Sequence, residues 1–192
     1  MAGVLTASGA TAGLDADEAL ALAARDRPEL FGRLYERYLP RVYRYLAARA
    51  PSREEAADLT QLTFTRAFAA LAGFRPGKAP FAAWLFGIAR NAAADAARRR
   101  RRQAPWDGAP QPPQANDEAL PEETLLHQER LQRLRGLLAG LPAQQRELLA
   151  LRFAGGLSAR QIAPIIGKKE EAVKRQMSRI LASLKEKYHD DL

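Results

Sequence analysis

The sequence holds no cysteine, two histidines and two methionines among its 192 residues. The missing thiols exclude a disulfide framework, a thiolate metal site and a cysteine nucleophile. They fit a reducing, cytoplasmic setting. No run approaches the roughly 20 apolar residues that a membrane helix requires, so no membrane insertion is expected. The start, MAGVLTASGATAGL, has no basic segment followed by an apolar core, which excludes a secretory signal. Residues 1–14 read as a disordered tail. The chain also lacks a Gly-rich phosphate loop, a nucleophile elbow and a cluster of metal ligands. His127 and His189 stand apart, and the acid pairs Glu122-Glu123 and Asp190-Asp191 read as solvated charge. The reading is therefore not an enzyme, with no cofactor and no metal.

What the chain does have is helical periodicity and positive charge. No alternating strand pattern and no internal repeat is visible, so the expected fold class is all-α, with two small helical domains joined by a flexible linker. The formal net charge is +8. It divides into −3 before Ala24, +10 from Ala24 to Arg102, −5 from Gln103 to Glu123 and +6 beyond. The basic charge thus sits on two apolar-patterned blocks, which points to an acidic partner, with nucleic acid first and an acidic membrane surface second. The segment between them, Gln103 to Glu123, has five prolines, five acids and no lysine or arginine. It cannot bury enough surface to offset its ordering entropy and reads as a linker.

The first block spans residues 15–102. Asp15 with Glu18 has the spacing of a capping box, as does Ser52 with Glu55. A helix from Pro28 gathers Phe31, Leu34, Tyr35, Tyr38 and Leu39 on one face, and Pro40 is expected to kink or divide it. Phe64, Phe68 and Leu71 line the next helix. GFRPGKAP, with two Gly and two Pro, is a loop. A final helix runs from Phe81 into Arg98–Arg102, a run whose adjacent guanidinia wrap around the helix and favour sequence-blind, salt-dependent binding.

The second block, residues 124–192, reads as four helices near 124–139, 143–154, 158–166 and 170–187. Its last two form a helix-turn-helix pattern. Ser158 is placed as an N-cap and Gly167 at the turn. Val173, Met177, Ile180, Leu181 and Leu184 make one apolar stripe. The opposite face carries Glu171, Lys174, Arg175, Ser178 and Arg179, the arrangement a recognition helix needs to pack on one side and enter the major groove on the other. The competing reading is a plain helical hairpin with a solvated charged face. Pro164, inside the short helix, removes one backbone donor.

Two further stretches carry a resemblance when taken with this helix-turn-helix. One holds Asp58, Leu59, Gln61 and Phe64. The other holds Phe81, Trp84, Leu85, Ile88, Ala89, Asn91, Asp95 and Arg98. In order with Leu141-Pro142, Gln145-Arg146, Gly156-Leu157-Ser158, Ile162-Ala163, Gly167 and Val173-Lys174, they resemble the extracytoplasmic-function (group IV) sigma factors of bacterial RNA polymerase. The resemblance covers about residues 24–102 and 124–187. The turn GKKEEAV and Pro164 depart from the family pattern.

The resemblance implies a region 2 domain over 15–102 and a region 4 domain over 124–192. It implies core RNA polymerase as partner, through the clamp of its largest subunit and the flap of the second, together with promoter DNA and an anti-sigma protein. Polymerase docking falls to Asp58, Gln61 and Leu62. The −10 element falls to Arg75 and Lys78 in the loop and to Arg90, Asn91, Arg98 and Arg99 on the next helix. The −35 element falls to Glu171, Lys174, Arg175, Ser178 and Arg179. Phe81 and Trp84 lie on the Leu85/Ile88 side of their helix and read as core. The acidic linker is expected to imitate nucleic acid on the polymerase. The alternative function is a helix-turn-helix regulator that binds duplex DNA without polymerase, which leaves the Asp58/Gln61 and Trp84–Arg98 patterns without a role.

Overall fold

The computed structural model describes residues 15–103 and 123–190, with side chains for 15–103 and 129–188. The expected tail at 1–14 and most of the acidic linker lie outside the described residues. Eight α-helices appear among the described residues, and no strand. They are α1 (Ala16–Asp26), α2 (Phe31–Ala47), α3 (Arg53–Ala70), α4 (Phe81–Gln103), α5 (Glu123–Ala139), α6 (Ala143–Leu149), α7 (Ala159–Ile166) and α8 (Glu170–Asp190).

Helices α1 to α4 enclose an aromatic core. Tyr45, Phe74, Phe81 and Phe86 are fully buried with Leu34, Val42, Leu46 and Leu85. Their rings meet tilted or edge-on, the geometry the ring quadrupole favours: Tyr38 and Phe81 at 5.5 Å, Tyr45 and Phe86 at 5.5 Å, Phe74 and Phe81 at 5.6 Å. Trp84 is half-buried against Phe74 and Phe81. Both Phe81 and Trp84 are therefore core. Along α4 the buried positions Ala82, Ala89, Ala92, Ala93 and Ala96 carry small side chains, which permits close helix approach. Thr60 and Thr63 are buried on α3 because their hydroxyls donate to the carbonyls of Ala56 and Leu59, each at 2.7 Å.

Local signals and tertiary partners compete at several helix ends. Asp15 occupies the N-cap of α1 but makes no side-chain cap bond. The acids of that first turn point inward instead. Glu18 is buried, and Asp17 pairs with Arg37 and accepts from the Tyr38 hydroxyl at 2.5 Å. The expected Asp15–Glu18 box is thus replaced by a bond to α2. Ser52 does cap α3, accepting from the Glu55 amide at 3.1 Å. Glu55 pairs with Arg100 of α4, so this box has one arm.

Pro40 neither divides nor ends α2, which runs unbroken through it. It is exposed, so water can satisfy the carbonyl it leaves free. Pro164 sits within α7 on the same terms.

The second block is smaller. Leu148, Leu151, Leu157 and Ile162 are fully buried, with Leu141, Val173 and Ile180 around them. Helix α6 continues into one π-helical turn, Ala150–Ala154, closed by the Gly155 amide on the Ala150 carbonyl at 2.9 Å. Ser158 and Gln161 form a complete, reciprocal capping box at the start of α7. Gly167 ends it with φ 67°, a left-handed conformation in which a side chain is strained.

The two blocks pack on each other. Helices α2 and α4 of the first meet the π-turn and α7 of the second, so the chain forms one continuous body across the residues 104–122 that link the blocks.

Candidate nucleic-acid interface

Asp58 and Gln61 are exposed on α3 and Leu62 is half-buried. The opposite side of α3 buries Ala56, Leu59, Thr63 and Phe64. The helix thereby offers polar groups to a partner while its other face is core. Nearby, Phe68 is 48 % exposed and packs against Phe31 with the rings tilted, centroids 5.2 Å apart.

The loop that follows α3 is anchored at its base. Phe74 is buried between Phe81 and Trp84. Its carbonyl accepts from the Arg25 guanidinium of α1. Arg75 donates to the Ala72 carbonyl at 2.9 Å and the Phe74 carbonyl at 3.2 Å. Lys78, four residues into the loop, is exposed. One rigid end and one projecting cation suit a loop that meets a ligand.

On α4, Asn91 and Arg98 fall seven residues apart and share a stripe with Ala94. All three line one cavity. Arg98 is bound to Asp95, whose carboxyl that bond holds below the usual range, with Arg66 at 3.4 Å adding to the effect. Arg99, Arg101 and Arg102 are exposed, while Arg100 is held by Glu55. The five-arginine run is thus partly neutralised by the block itself. Arg90 is half-buried and turns toward the second block. Its Nη1 lies 3.4 Å from the Ile165 carbonyl and its Nε lies 3.8 Å from Glu147.

On α8 the expected two-faced arrangement is present. Val173 and Ile180 are buried, Met177 and Leu184 half-buried, while Leu181 is 41 % exposed at the edge of the stripe. Glu171, Lys174, Arg175, Ser178 and Arg179 are all exposed. Lys174 binds Glu170 at 2.9 Å and Glu171 at 3.1 Å, hydrogen bonds that raise its pKa and keep it charged. Ser178 donates to the Lys174 carbonyl at 3.1 Å. Arg175 and Arg179 line a groove of about 730 Å³ with Gln145, Lys168, Gln176 and Ser183.

Five residues outside the expected sites organise these surfaces. Arg25 fixes the loop. Arg41, Tyr45, Arg49 and Glu147 join the two blocks. Glu147 stands in an apolar run, Glu147-Leu148-Leu149, and that placement is the one signal that marked it for burial. Its partners Tyr45, Arg49 and Arg90 lie 57 to 102 positions away in sequence and left no local trace. Among the described residues no group of three or more acids or histidines could hold a metal, and no helix is long and apolar enough to cross a membrane.

The Sigma-70 region 2 family model matches residues 34–103, and the Sigma-70, region 4 model matches residues 131–184. The chain is 36% identical over 177 residues to the ECF RNA polymerase sigma factor SigD of Mycobacterium tuberculosis, covering 90% of this chain and 82% of SigD. It is 34% identical over 163 residues to the ECF RNA polymerase sigma factor BldN of Streptomyces coelicolor, covering 85% of this chain and 62% of BldN. The alignment therefore spans less than two thirds of that relative. The solved structure of CnrH in complex with the cytosolic domain of CnrY aligns with a TM-score of 0.66 at 26% identity, covering 93% of this chain and all of that one. With both family regions in order on one helical chain, the protein belongs to the extracytoplasmic-function RNA polymerase sigma factors, which direct transcription initiation at promoters.

Proposed function

We propose that this sigma factor divides its work between a region 2 domain over residues 15–102 and a region 4 domain over residues 124–192, with residues 103–123 as linker. In this reading it acts in the cytoplasm as a non-catalytic initiation factor. The exposed face of α3 docks on core polymerase through Asp58, Gln61 and Leu62. The −10 element, once unpaired, is taken by the loop at Arg75 and Lys78 and by Arg90, Asn91, Arg98 and Arg99. Cations track its backbone while Asn91 offers both donor and acceptor to a base edge. Helix α8 reads the −35 duplex with Arg175 and Arg179, the cations of its exposed face that no acid on the same helix engages in the described contacts. Lys174, paired with two glutamates, contributes less to affinity. A regulator of the anti-sigma kind fits as a further partner, since the similar CnrH is seen bound to CnrY.

The observation that carries this reading is the exposed Asp58/Gln61 face on a helix whose other side is core. A stand-alone DNA-binding regulator has no use for it. The test is reconstitution with core polymerase. The full chain co-elutes with core and starts transcription from promoters that core alone ignores. Asp58→Ala with Gln61→Ala abolishes co-elution while shifting stability by no more than about 0.5 kcal/mol, because both side chains face solvent. Tight duplex binding without any polymerase association sinks the reading and favours the regulator.

A further inference from the structure

The seam where the two blocks meet encloses a pocket of about 460 Å³. Helix α4 lines one wall with Arg90, Asn91 and Arg98, and Arg49 enters just beyond the end of α2. From the second block come Gln144 and Glu147 of α6, Lys168 of the turn and Gln176 of α8.

The charges in this pocket do not balance. Glu147 is the one acid among its described lining residues, and it is already engaged. The Tyr45 hydroxyl donates to it at 2.7 Å, Arg49 pairs with it, and Arg90 lies 3.8 Å away. Arg98 is bound to Asp95. Two acids thus face the four cations Arg49, Arg90, Arg98 and Lys168, which leaves an excess of two positive charges. Lys168 meets a neutral partner, the Gln176 amide oxygen, at 2.6 Å. The Arg49 guanidinium is not fully engaged by Glu147 either, because its Nε is buried with no hydrogen-bond partner among the described residues. A buried donor in that state gains from an acceptor that reaches it. The amides of Asn91 and Gln144 are both exposed, and no described side-chain contact holds them.

Excess positive charge, guanidinium forks and unengaged amides match a ligand whose phosphates sit close together. The volume falls in the usual range of small-molecule sites, roughly 300–1,000 Å³. We propose that the seam pocket binds an oligophosphate, two or three linked phosphates, either free or carried by a nucleoside. Arg90, Arg98 and Lys168 hold the phosphates, and Asn91 and Gln144 offer donors and acceptors to a base edge when one is present. Both blocks contribute, so the ligand stabilises their packing by mass action. The proposal rests on the packed blocks and not on the assignment of residues to DNA. Arg90, Asn91 and Arg98 serve in both readings, whereas Lys168 and Gln144 belong to the pocket alone.

The test is calorimetric titration of the full chain with inorganic tripolyphosphate, and separately with adenosine and guanosine triphosphates, all without divalent metal. One equivalent binds, and thermal unfolding moves upward with ligand. Tripolyphosphate binding as tightly as the nucleotides identifies a free oligophosphate as the ligand, and tighter binding of a nucleotide identifies the nucleotide. Lys168→Glu, at an exposed position, weakens tripolyphosphate binding about tenfold or more. Gln144→Glu weakens it too, while its new acid sits in the first turn of α6, where it favours the helix. Lys185→Glu repeats the charge change of Lys168→Glu at an exposed site nine residues, about 13 Å, along α8 from Gln176. It alters affinity less than about twofold at physiological salt. Absence of a single saturable site, unchanged binding in both pocket variants, or equal weakening in Lys168→Glu and Lys185→Glu overturns the proposal. So does a Lys168→Glu chain that loses affinity for a short single strand as steeply as for tripolyphosphate, which assigns the pocket to nucleic acid. The titration uses neither polymerase nor promoter, so a failed reconstitution with core leaves its result standing.

Discussion

The two blocks carry their exposed cations on cores of very different depth. The first encloses four fully buried aromatic rings and a helix face of alanines. The second closes around aliphatic side chains, and its one phenylalanine, Phe153, is 62 % exposed. Region 2 can therefore hold a loop and a helix in fixed register by packing alone. Region 4 relies on its ends: a reciprocal capping box, a left-handed glycine, and contacts borrowed from the first block. The comparison teaches that the first block is ordered by its own core, while the second depends on its helix ends and on the block it packs against.

The largest effect that bears on this comparison is loss of a ring from the first core. Phe81→Ala removes the contact shared by Tyr38, Phe74 and Trp84, and costs about 3–5 kcal/mol. Thermal unfolding followed by circular dichroism reads it directly. A loss below about 1 kcal/mol would show that the aromatic core does not set the stability of that block.

Alkaline pH separates the interior of the first block from the seam. Burial, helped by the bond to Asp17, pushes the Tyr38 phenol far above the ordinary value of about 10. Burial and the charge of Glu147 do the same for Tyr45, against a smaller opposing effect of Arg49. The fold favours the neutral phenol of both. Their stabilisation is complete below about pH 10 and is lost as pH rises toward the folded-state values. In absorbance at 295 nm both rings lag behind free tyrosine. Glu147→Gln lowers the Tyr45 step while burial still holds it above the ordinary tyrosine value, and leaves Tyr38 where it was. If both shift together, the seam and the core are one unit and the comparison fails.

The smallest effect falls on the second block. Ser158→Ala removes the cap of α7 and costs about 1 kcal/mol. Urea unfolding with a probe on each block places that loss in region 4, leaving region 2 unchanged. A loss shared equally by both probes would mean that the blocks unfold together.

Much of the fold was legible because helix punctuation is local. Pro142, Ser158 and Gly167 mark ends that the structure places at the same positions, and the loop before Phe81 was visible from its glycines and prolines. The face of α8 was legible too, since a 3.6-residue period separates Val173 and Ile180 from Arg175 and Arg179. Failures came where a distant partner outbid a local one. Glu18 is buried instead of capping α1, Glu55 pairs with Arg100 instead of closing its box, and solvent lets Pro40 stay inside a helix. The basic run was expected to wrap around its helix, but no local pattern showed that Arg100 is held by Glu55 of another helix, as Arg98 is by Asp95.

The sequence by itself determined an all-helical chain with two basic blocks, the helix-turn-helix, and the family, because period, caps and ordered motifs are properties of neighbouring residues. Only the tertiary structure decided how the blocks meet. Glu147 finds Tyr45, Arg49 and Arg90, and Arg41 finds the Gly155 and Gly156 carbonyls, through contacts spanning 57 to 115 positions along the chain. No periodicity encodes such pairs. They form because a buried carboxylate and two turn carbonyls need donors that their own block does not supply.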